Sequence, residues 1–243
     1  MAYGLTKSLD LEESSSQYAD IASGSQTGLN FTSNFSLEGW INLESLPSVT
    51  GHDYFVCGRK GATEGYSMWV GTDDKLHCRY GASGTNVSEK SMNETFDSDD
   101  LGTWIHVAVT VNVGSISFSF YKGGTSKAST YVASGASSLA APTASFAIGK
   151  RPDTAAGYFD GGISLVRVWS DIRTSGEISG NLCTVFGTTE GNMVGEWSLD
   201  DVYTDASGNS NTLTASGSPV FVSSLPSTCA PAPSSNSNFL AFF

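Results

Sequence analysis

His106 is one of three histidines in this 243-residue chain and lies beside a tryptophan in TWIHVAVTVN (103–112). It is a candidate for a catalytic base or a metal ligand. A catalytic base needs a nucleophile or a carboxylate within hydrogen-bond reach. On a β-strand, the residues that share its face are Trp104 and Ala108, and these supply neither group. We therefore predict that His106 packs on the drier part of a strand face and bonds one neighbour through a ring nitrogen.

Paired carboxylates are the second candidate, since glycoside hydrolases place two of them across the scissile bond. The nearest pair is Glu196 and Asp200 in EWSLDD, which share a strand face but are separated by Ser198. The chain also lacks the G-x-S-x-G, H-E-x-x-H, Walker A and dinucleotide-binding motifs. We predict a protein that is not an enzyme. A glycoside hydrolase would require carboxylates distant in sequence to converge at roughly 5 to 9 Å.

Calcium is the metal to consider, because it takes hard oxygen ligands. The candidate ligands are Asp205 and Asn209 in DASGNSN (205–211), with backbone carbonyls, and Asp160. A solvated Asx-turn would explain Asp205 and Asn209 without an ion. We expect no required cofactor and keep calcium as an open alternative.

The four cysteines form no CxxC pair and no Cys/His cluster with zinc spacing. We expect free thiols. Cys57 and Cys78 fall on the outer strands of a predicted three-strand meander, about 10 Å apart and beyond disulfide reach. Cys183 and Cys229 are the one pair that deserves a test.

Charge and composition restrict the partners. The formal net charge is −12, which repels nucleic acid and anionic headgroups. No apolar stretch is long enough to span a bilayer, so we expect no membrane insertion. The N-terminus MAYGLTKSLDL lacks the pattern of a signal peptide, and we expect synthesis in a cytoplasm without export by the general route.

Period-2 alternation must position these residues, and it predicts an all-β chain of short strands. Predicted strands are 8–12, 35–43, 53–59, 65–71, 75–81, 103–112, 115–121, 130–134, 145–151, 161–170, 191–201 and 218–224, with 82–100 as a polar excursion. In the meander 53–81, alternation separates Tyr66 and Met68 from Trp69. One helical turn is predicted at 171–180, capped by Thr174 and Glu177.

The composition changes after residue 222. We expect one domain over 1–222 and a Ser/Pro-rich tail over 223–243 that would be disordered on an isolated domain. The tail ends in the apolar residues Phe239, Leu240, Phe242 and Phe243. We predict that these four residues dock on a protein neighbour in an oligomer or larger particle.

Several stretches, taken together, resemble the laminin-G-like, concanavalin A-like jelly-roll family in its bacterial and phage branch. They are NFSLEGWINLESLP, TWIHVAVTVN, SFAIGKR, FDGGISLVRVW, RTSGEI and VGEWSLDD with DASGNSN, in the family's order over roughly residues 8–222. The resemblance implies an antiparallel β-sandwich of two sheets, one of them curved, with the first and last strands near each other. Many relatives bind calcium, but Lys122 stands where the family often has an acidic residue.

The resemblance and the residues leave three functions open. The first is a non-enzymatic phage virion component, either a capsid decoration or a tail-associated protein, possibly glycan-binding. The second is a carbohydrate-binding lectin or adhesin module at a cell surface or in the extracellular space. The third is a glycoside hydrolase, since the fold class includes glucanases, although their E-x-D-x-x-E string is absent here. No glycan-binding residue can be named from the sequence.

Overall fold

Short antiparallel strands make up most of the chain. The computed structural model describes residues 4–61, 65–83, 86–226 and 229. Its strands are β1 Ser8–Leu11, β2 Tyr18–Ile21, β3 Phe35–Leu43, β4 Tyr54–Lys60, β5 Gly65–Val70, β6 Lys75–Ser83, β7 Asn86–Thr95, β8 Trp104–Asn112, β9 Ser117–Lys122, β10 Thr125–Lys127, β11 Ser129–Ala133, β12 Phe146–Ile148, β13 Gly161–Trp169, β14 Met193–Trp197, β15 Thr214–Ser216 and β16 Val220–Val222.

The strands form two eight-stranded sheets. The first has the order β10-β9-β8-β3-β13-β1-β16, with β14 also paired to β13; the second has the order β11-β7-β6-β5-β4-β12-β2-β15. The pairs between these strands are antiparallel, and β1 pairs with β16. The predicted antiparallel β-sandwich is confirmed, and so is the expected proximity of its first and last strands.

The core lies between the sheets and follows the predicted alternation. Val107, Val109 and Val111 of β8 are fully buried, and Phe118 and Phe120 of β9 face the same core. The β-branched residues suit this position because they pack well on a pleated surface. Amphipathic alternation alone therefore orients the β8–β9 hairpin.

Polar strands and a short helix are where the sequence prediction is wrong. The predicted excursion 82–100 contains β7. The buried residues of β7 include Ser88 as well as Met92, so the strand has no regular row of apolar residues. The prediction also omits β2, β10 and β15. It gives one helical turn, but the described residues contain two short helices, α1 Pro47–Thr50 and α2 Ser175–Gly180. Pro47 at the start and Gly51 after the end are the sequence signals of α1.

The helix α2 begins as predicted. Thr174 caps it, its side chain accepts from the Glu177 N–H, and the Glu177 carboxylate accepts from the Thr174 N–H. Three 3₁₀ turns, Glu13–Ser15, Ser23–Ser25 and Gly187–Thr189, complete the described part. No helix within the described ranges is long and apolar enough to cross a membrane.

His106 is buried in a cluster of polar side chains. Its Nε2 lies 3.2 Å from Oε2 of Glu38 on the neighbouring strand, and Nε of Arg167 lies 3.0 Å from the other carboxylate oxygen. His106 is fully buried, and that burial lowers its pKa, although the neighbouring Glu38 opposes the shift. Burial would raise the pKa of Glu38, but Arg167 and His106 outweigh it and hold the pKa at about 2. The packing role is confirmed, although a carboxylate does lie within reach.

Arg167 also joins the sheet to the segment that covers it. Its Nη1 donates to the carbonyls of Asn181 and Thr184, both at 2.9 Å. Trp40 donates its indole N–H to the carbonyl of Leu182 in the same segment. Both faces of the first sheet are therefore buried over this region, which accounts for the small and polar residues on the second face of β8.

The C-terminal part of the described chain is covalently attached to this covering segment. Cys183 and Cys229 form a disulfide with a Cα–Cα distance of 5.0 Å, so the expectation of free thiols is wrong for this pair. Cys57 and Cys78 are free and buried, as predicted. The carbonyl of Cys229 accepts from Leu5 N–H, and both residues pack against Trp40.

Replacing both Cys183 and Cys229 by serine is expected to lower the free energy of unfolding by about 4 kcal/mol, because the bond closes a loop of 46 residues. Urea denaturation with and without reductant measures this loss. Reductant should destabilise the wild type by a similar amount and leave the double variant unchanged. Equal stability of wild type and variant in the absence of reductant would contradict the assignment.

Candidate functional site

The outer face of the second sheet carries the candidate site. Alternation along β5 turns Tyr66 and Met68 into the core and leaves Ser67 and Trp69 on the opposite face. The same alternation puts Cys78 and Tyr80 of β6 in the core and His77 and Arg79 outside. The separation predicted for Tyr66 and Trp69 is confirmed, and the outward set forms a cleft.

A row of three stacked rings crosses this face. Phe55, Trp69 and His77 lie directly opposite one another on β4, β5 and β6. The centroids are 5.3 Å apart for Phe55 and Trp69 and 5.1 Å apart for Trp69 and His77, with interplanar angles of 9° and 23°. Because β5 lies between the other two strands, a ring covers each face of the Trp69 indole. The cleft therefore meets the edges of these rings rather than their faces.

The cleft has a volume of about 300 Å³. It forms where side chains are small: Ser67 lies opposite Gly58, where a Cβ would come within 2.8 Å of the Ser67 Cβ. The lining residues come from β4 to β7, from the residue before β4, from the turn between β5 and β6, and from the segment between β12 and β13: Asp53, Phe55, Lys60, Ser67, Trp69, Gly71, Thr72, Asp73, His77, Arg79, Glu89 and Arg151.

His77 is held between two carboxylates in the cleft. Its Nδ1 lies 3.0 Å from Oε1 of Glu89, and its Nε2 lies 2.8 Å from Oδ1 of Asp73. Burial would lower the pKa of His77, but hydrogen bonds to Glu89 and Asp73 outweigh it and raise the pKa. Ionised carboxylates only accept, so an imidazolium that donates from both nitrogens satisfies both partners.

One wall of the cleft is fixed by a buried ion pair. Nζ of Lys60 lies 2.6 Å from Oδ2 of Asp153, and both side chains are 7% exposed. Arg151 donates from Nε to the other oxygen of Asp153 at 2.8 Å. Burial would raise the pKa of Asp153, but hydrogen bonds from Arg151 and Lys60 outweigh it and lower the pKa. These bonds anchor the segment between β12 and β13 to the end of β4.

Three donors in the cleft have no committed acceptor among the described residues. The indole Nε1–H of Trp69 and the guanidinium of Arg79 hydrogen-bond to no other described group, and Arg79 lies 3.8 Å from Glu89. The Oγ of Ser67 is buried at the base of the cleft without a partner. A ligand rich in hydroxyl or other acceptor oxygens would satisfy all three.

Asp205 lies in the loop where calcium was considered, and its oxygens are already bonded. Oδ1 accepts from Glu196 N–H and Ser207 N–H, and Oδ2 accepts from Ser207 Oγ and Asn211 N–H, all within 2.9–3.0 Å. Asn209 donates from Nδ2 to the carbonyls of Met193 and Val194. Four donors occupy the acceptor capacity of the Asp205 carboxylate, so this loop does not fit a metal.

Asp160 is placed elsewhere. It precedes β13, and six residues of this strand, roughly 20 Å, separate it from Arg167, which pairs with Glu196 beside Asp205. Ligand oxygens of Asp160, Glu12 and Glu44 lie within 4.8 Å of one another. Carboxylates suit calcium, so calcium at Asp160 stays a prediction.

The remaining sequence candidates have structural partners. Glu196 is fully buried and accepts from Phe186 N–H and Gly187 N–H, while Oδ1 of Asp200 accepts from the backbone of Thr6 and Lys7. Glu196 and Asp200 therefore hold chain segments together. The predicted docking residues Phe239, Leu240, Phe242 and Phe243 lie outside the described residues, so docking on a protein neighbour stays a prediction.

The residues of the cleft were not predicted as a site, although the outward position of Trp69 was. His77, Glu89 and Arg151 come from three separate parts of the chain, and β7, which carries Glu89, was taken for a polar excursion. One signal was available: Phe55, Trp69 and His77 fall on the same face once the meander 53–81 is paired as hairpins.

Replacing His77 by glutamine is expected to remove a pH-dependent part of the stability. The folded-state pKa is raised, so the stabilisation is complete below the usual value of 6.5 and is lost as the pH rises through the folded-state pKa. Urea unfolding between about pH 5 and pH 9 should show the difference between wild type and H77Q shrinking as the pH rises. Parallel stability curves would contradict the doubly bonded imidazolium.

Replacing Asp205 by alanine is expected to lower the free energy of unfolding by about 3 kcal/mol, because four donors lose their acceptor. The loss should be the same in calcium and in a chelator. The matched variant D160A should instead remove any stabilisation that calcium gives. A loss in D205A that appears only when calcium is present would restore the metal site at Asp205.

Comparisons with known proteins agree with this architecture. Residues 13–179 match a family model of the laminin-G type described as the concanavalin A-like lectin/glucanases superfamily. No curated protein sequence matches the chain significantly.

Solved structures that share the fold include the following two. One is a protein from Bacteroides ovatus ATCC 8483 proposed to bind carbohydrate, with a TM-score of 0.68 and 21% identity over 90% of this chain; the match spans 60% of that protein. The other is the heptameric SAP-like pentraxin of Limulus polyphemus, with a TM-score of 0.52 and 13% identity over 88% of this chain and 97% of that one. The family model covers more than half of the sequence, and the chain belongs to the concanavalin A-like lectin/glucanases superfamily.

Proposed function

We propose that this chain is a carbohydrate-binding module and that its ligand occupies the cleft at Trp69. The observation that carries the proposal is the set of donors without acceptors, Trp69 Nε1–H, the Arg79 guanidinium and Ser67 Oγ–H, on one side of an ordered row of rings. Sugar hydroxyls accept such bonds, and the carboxylates of Asp53 and Glu89 can accept from them in return. The fold of the Bacteroides ovatus protein, itself proposed to bind carbohydrate, supports the same assignment.

The ring geometry defines how a sugar would be held. Both faces of the Trp69 indole are covered, so a pyranose cannot stack on it and must contact its edge and Nε1–H. Recognition then depends on directed hydrogen bonds. Charge-assisted bonds from Arg79 contribute more than neutral ones, roughly 1.5–3 kcal/mol against 0.5–1.5 kcal/mol.

Binding without cleavage is part of the proposal. Asp73 and Glu89 line the cleft on either side of His77, which donates to one oxygen of each. Because His77 holds both carboxylates, we expect neither to act as the acid or the nucleophile of glycoside hydrolysis. The match to the Bacteroides ovatus protein spans 60% of that chain, so the comparison does not extend to the rest of it.

An extracellular location is proposed with this function. The disulfide Cys183–Cys229 supports it, since disulfides persist in oxidising compartments. The virion location predicted from the sequence has no support in the comparisons or in the described residues.

Replacing Trp69 by phenylalanine and, separately, Arg79 by glutamine is expected to weaken glycan binding while the fold is kept. W69F keeps an aromatic ring between Phe55 and His77 and removes the Nε1–H donor together with the second ring of the indole. R79Q removes a charge-assisted donor and should weaken binding about tenfold or more. A glycan array followed by calorimetry on the strongest ligand measures both losses.

A third site variant and one control complete this test. S67A removes a buried hydroxyl without a protein partner, so it should weaken binding but not stability. K7Q removes a surface charge beside Asp201, away from the cleft, and should bind like the wild type. Unchanged binding in both W69F and R79Q would disprove the site. Release of reducing sugar that D73N and E89Q abolish would disprove binding without cleavage.

A further inference from the structure

The cleft at Trp69 continues into two neighbouring clefts. The second has a volume of about 230 Å³ and shares Asp53, Phe55, Thr72 and Arg151 with the first. The third has a volume of about 290 Å³ and shares His52, Ala156 and Gly157 with the second. We call the three together the long groove.

The long groove crosses most of the second sheet. It begins at Glu89 on β7 and ends at residues 13–16, which lead into β2. Four strands, β6, β5, β4 and β12, lie between β7 and β2 in the sheet order. Five strand spacings correspond to about 24 Å, which is far longer than a single sugar ring.

A glycine keeps the middle of the groove low. Gly157 has a φ of +65°, and a Cβ at this position would lie 2.7 Å from Cδ2 of Phe55. The carbonyl of Gly157 accepts from the Phe55 N–H, so the segment between β12 and β13 rests directly on the row of rings. Because this segment lies close against Phe55, it does not separate the second cleft from the first.

The far end of the groove is polar and carries another aromatic pair. Nδ1 of His52 lies 2.6 Å from Oε1 of Glu13 across the third cleft. Tyr158 lines the same cleft, and its ring lies 6.1 Å from that of Tyr18. Hydroxyl, carboxylate and imidazole groups of this kind can hydrogen-bond a second and a third sugar residue.

We infer that the long groove binds a linear polysaccharide along its length, with several consecutive sugar residues in contact, rather than the terminal sugar of a chain. The inference rests on the proposed function and adds the class and length of the ligand. The Trp69 cleft binds one part of the polysaccharide, and the clefts at Ala156 and Tyr158 bind the next sugars. Affinity should therefore grow with the number of sugars until the groove is filled.

The experiment is an array of size-graded oligosaccharides, from disaccharide to decasaccharide, prepared from neutral and charged polysaccharides of plant, algal, microbial and animal origin. The protein used is the 243-residue chain. Calorimetry on the strongest series then gives the affinity at each length. We expect a gain of about tenfold or more between disaccharide and hexasaccharide, followed by a plateau.

The variant A156W separates this inference from the proposed function. Ala156 is exposed and lines the second and third clefts but not the first, so a large side chain there blocks only the far part of the groove. A156W should lose the gain with length and keep the affinity for the disaccharide, whereas W69F should weaken every length. V202W places the same side chain at an exposed site that lines none of the three clefts and should behave like the wild type.

The outcomes are distinct. Equal affinity for short and long oligosaccharides, with binding still sensitive to W69F, would overturn the inference and leave the proposed function intact. A gain with length that A156W does not change would also overturn it. Absence of binding to every series on the array would overturn the proposed function itself.

Discussion

The cross-strand register of β4, β5 and β6 is the constraint on which both the core and the site depend. Side chains alternate between the two faces of a strand, so a shift of one residue would exchange the core face for the cleft face. In the observed register, Phe55, Trp69 and His77 form one row, and Tyr66 and Tyr80 pair on the opposite face of the same strands. The hydrophobic effect fixes this register through the buried face, and the cleft is its consequence.

Charge pairing makes the polar face compatible with folding. The protein has 24 acidic and 12 basic residues, yet Lys60, Arg79 and Arg151 all line one cleft. Each charged group that lies deep there has an opposite partner, as Lys60 has Asp153 and His77 has Asp73 and Glu89. Breaking a buried pair by removing one partner typically costs about 3–5 kcal/mol. The groups left with spare donors, Trp69 and Arg79, are therefore the ones that can meet a ligand without a loss of stability.

The sequence predicted what local alternation and short-range capping determine. The β8–β9 hairpin, the meander of β4 to β6, the packing of His106 and the cap of α2 all follow from residues close in sequence. The strand β7 did not, because its inward positions are partly occupied by serine, so that its alternation carries no hydrophobic signal. The Lys60–Asp153 pair joins segments 93 residues apart, and no spacing rule selects such partners. Cys183 and Cys229, 46 residues apart, were the one pair marked for a test, but their spacing did not show that they bond. The calcium candidates were also not close in space: Asp160 precedes β13, whereas Asp205 bonds Glu196, which pairs with Arg167 toward the other end of that strand.

The most direct test of ligand binding in the cleft is an NMR measurement of the five tryptophan indole N–H signals during titration with a glycan that the array selects. Trp40, Trp104, Trp169 and Trp197 donate their indole N–H to Leu182, Ser224, Glu38 and Asn211 respectively, whereas Trp69 donates to no described residue. The account predicts that the Trp69 signal, assigned by its absence in W69F, shifts most and saturates with the binding curve. A saturating glycan that leaves the Trp69 signal in place would contradict it.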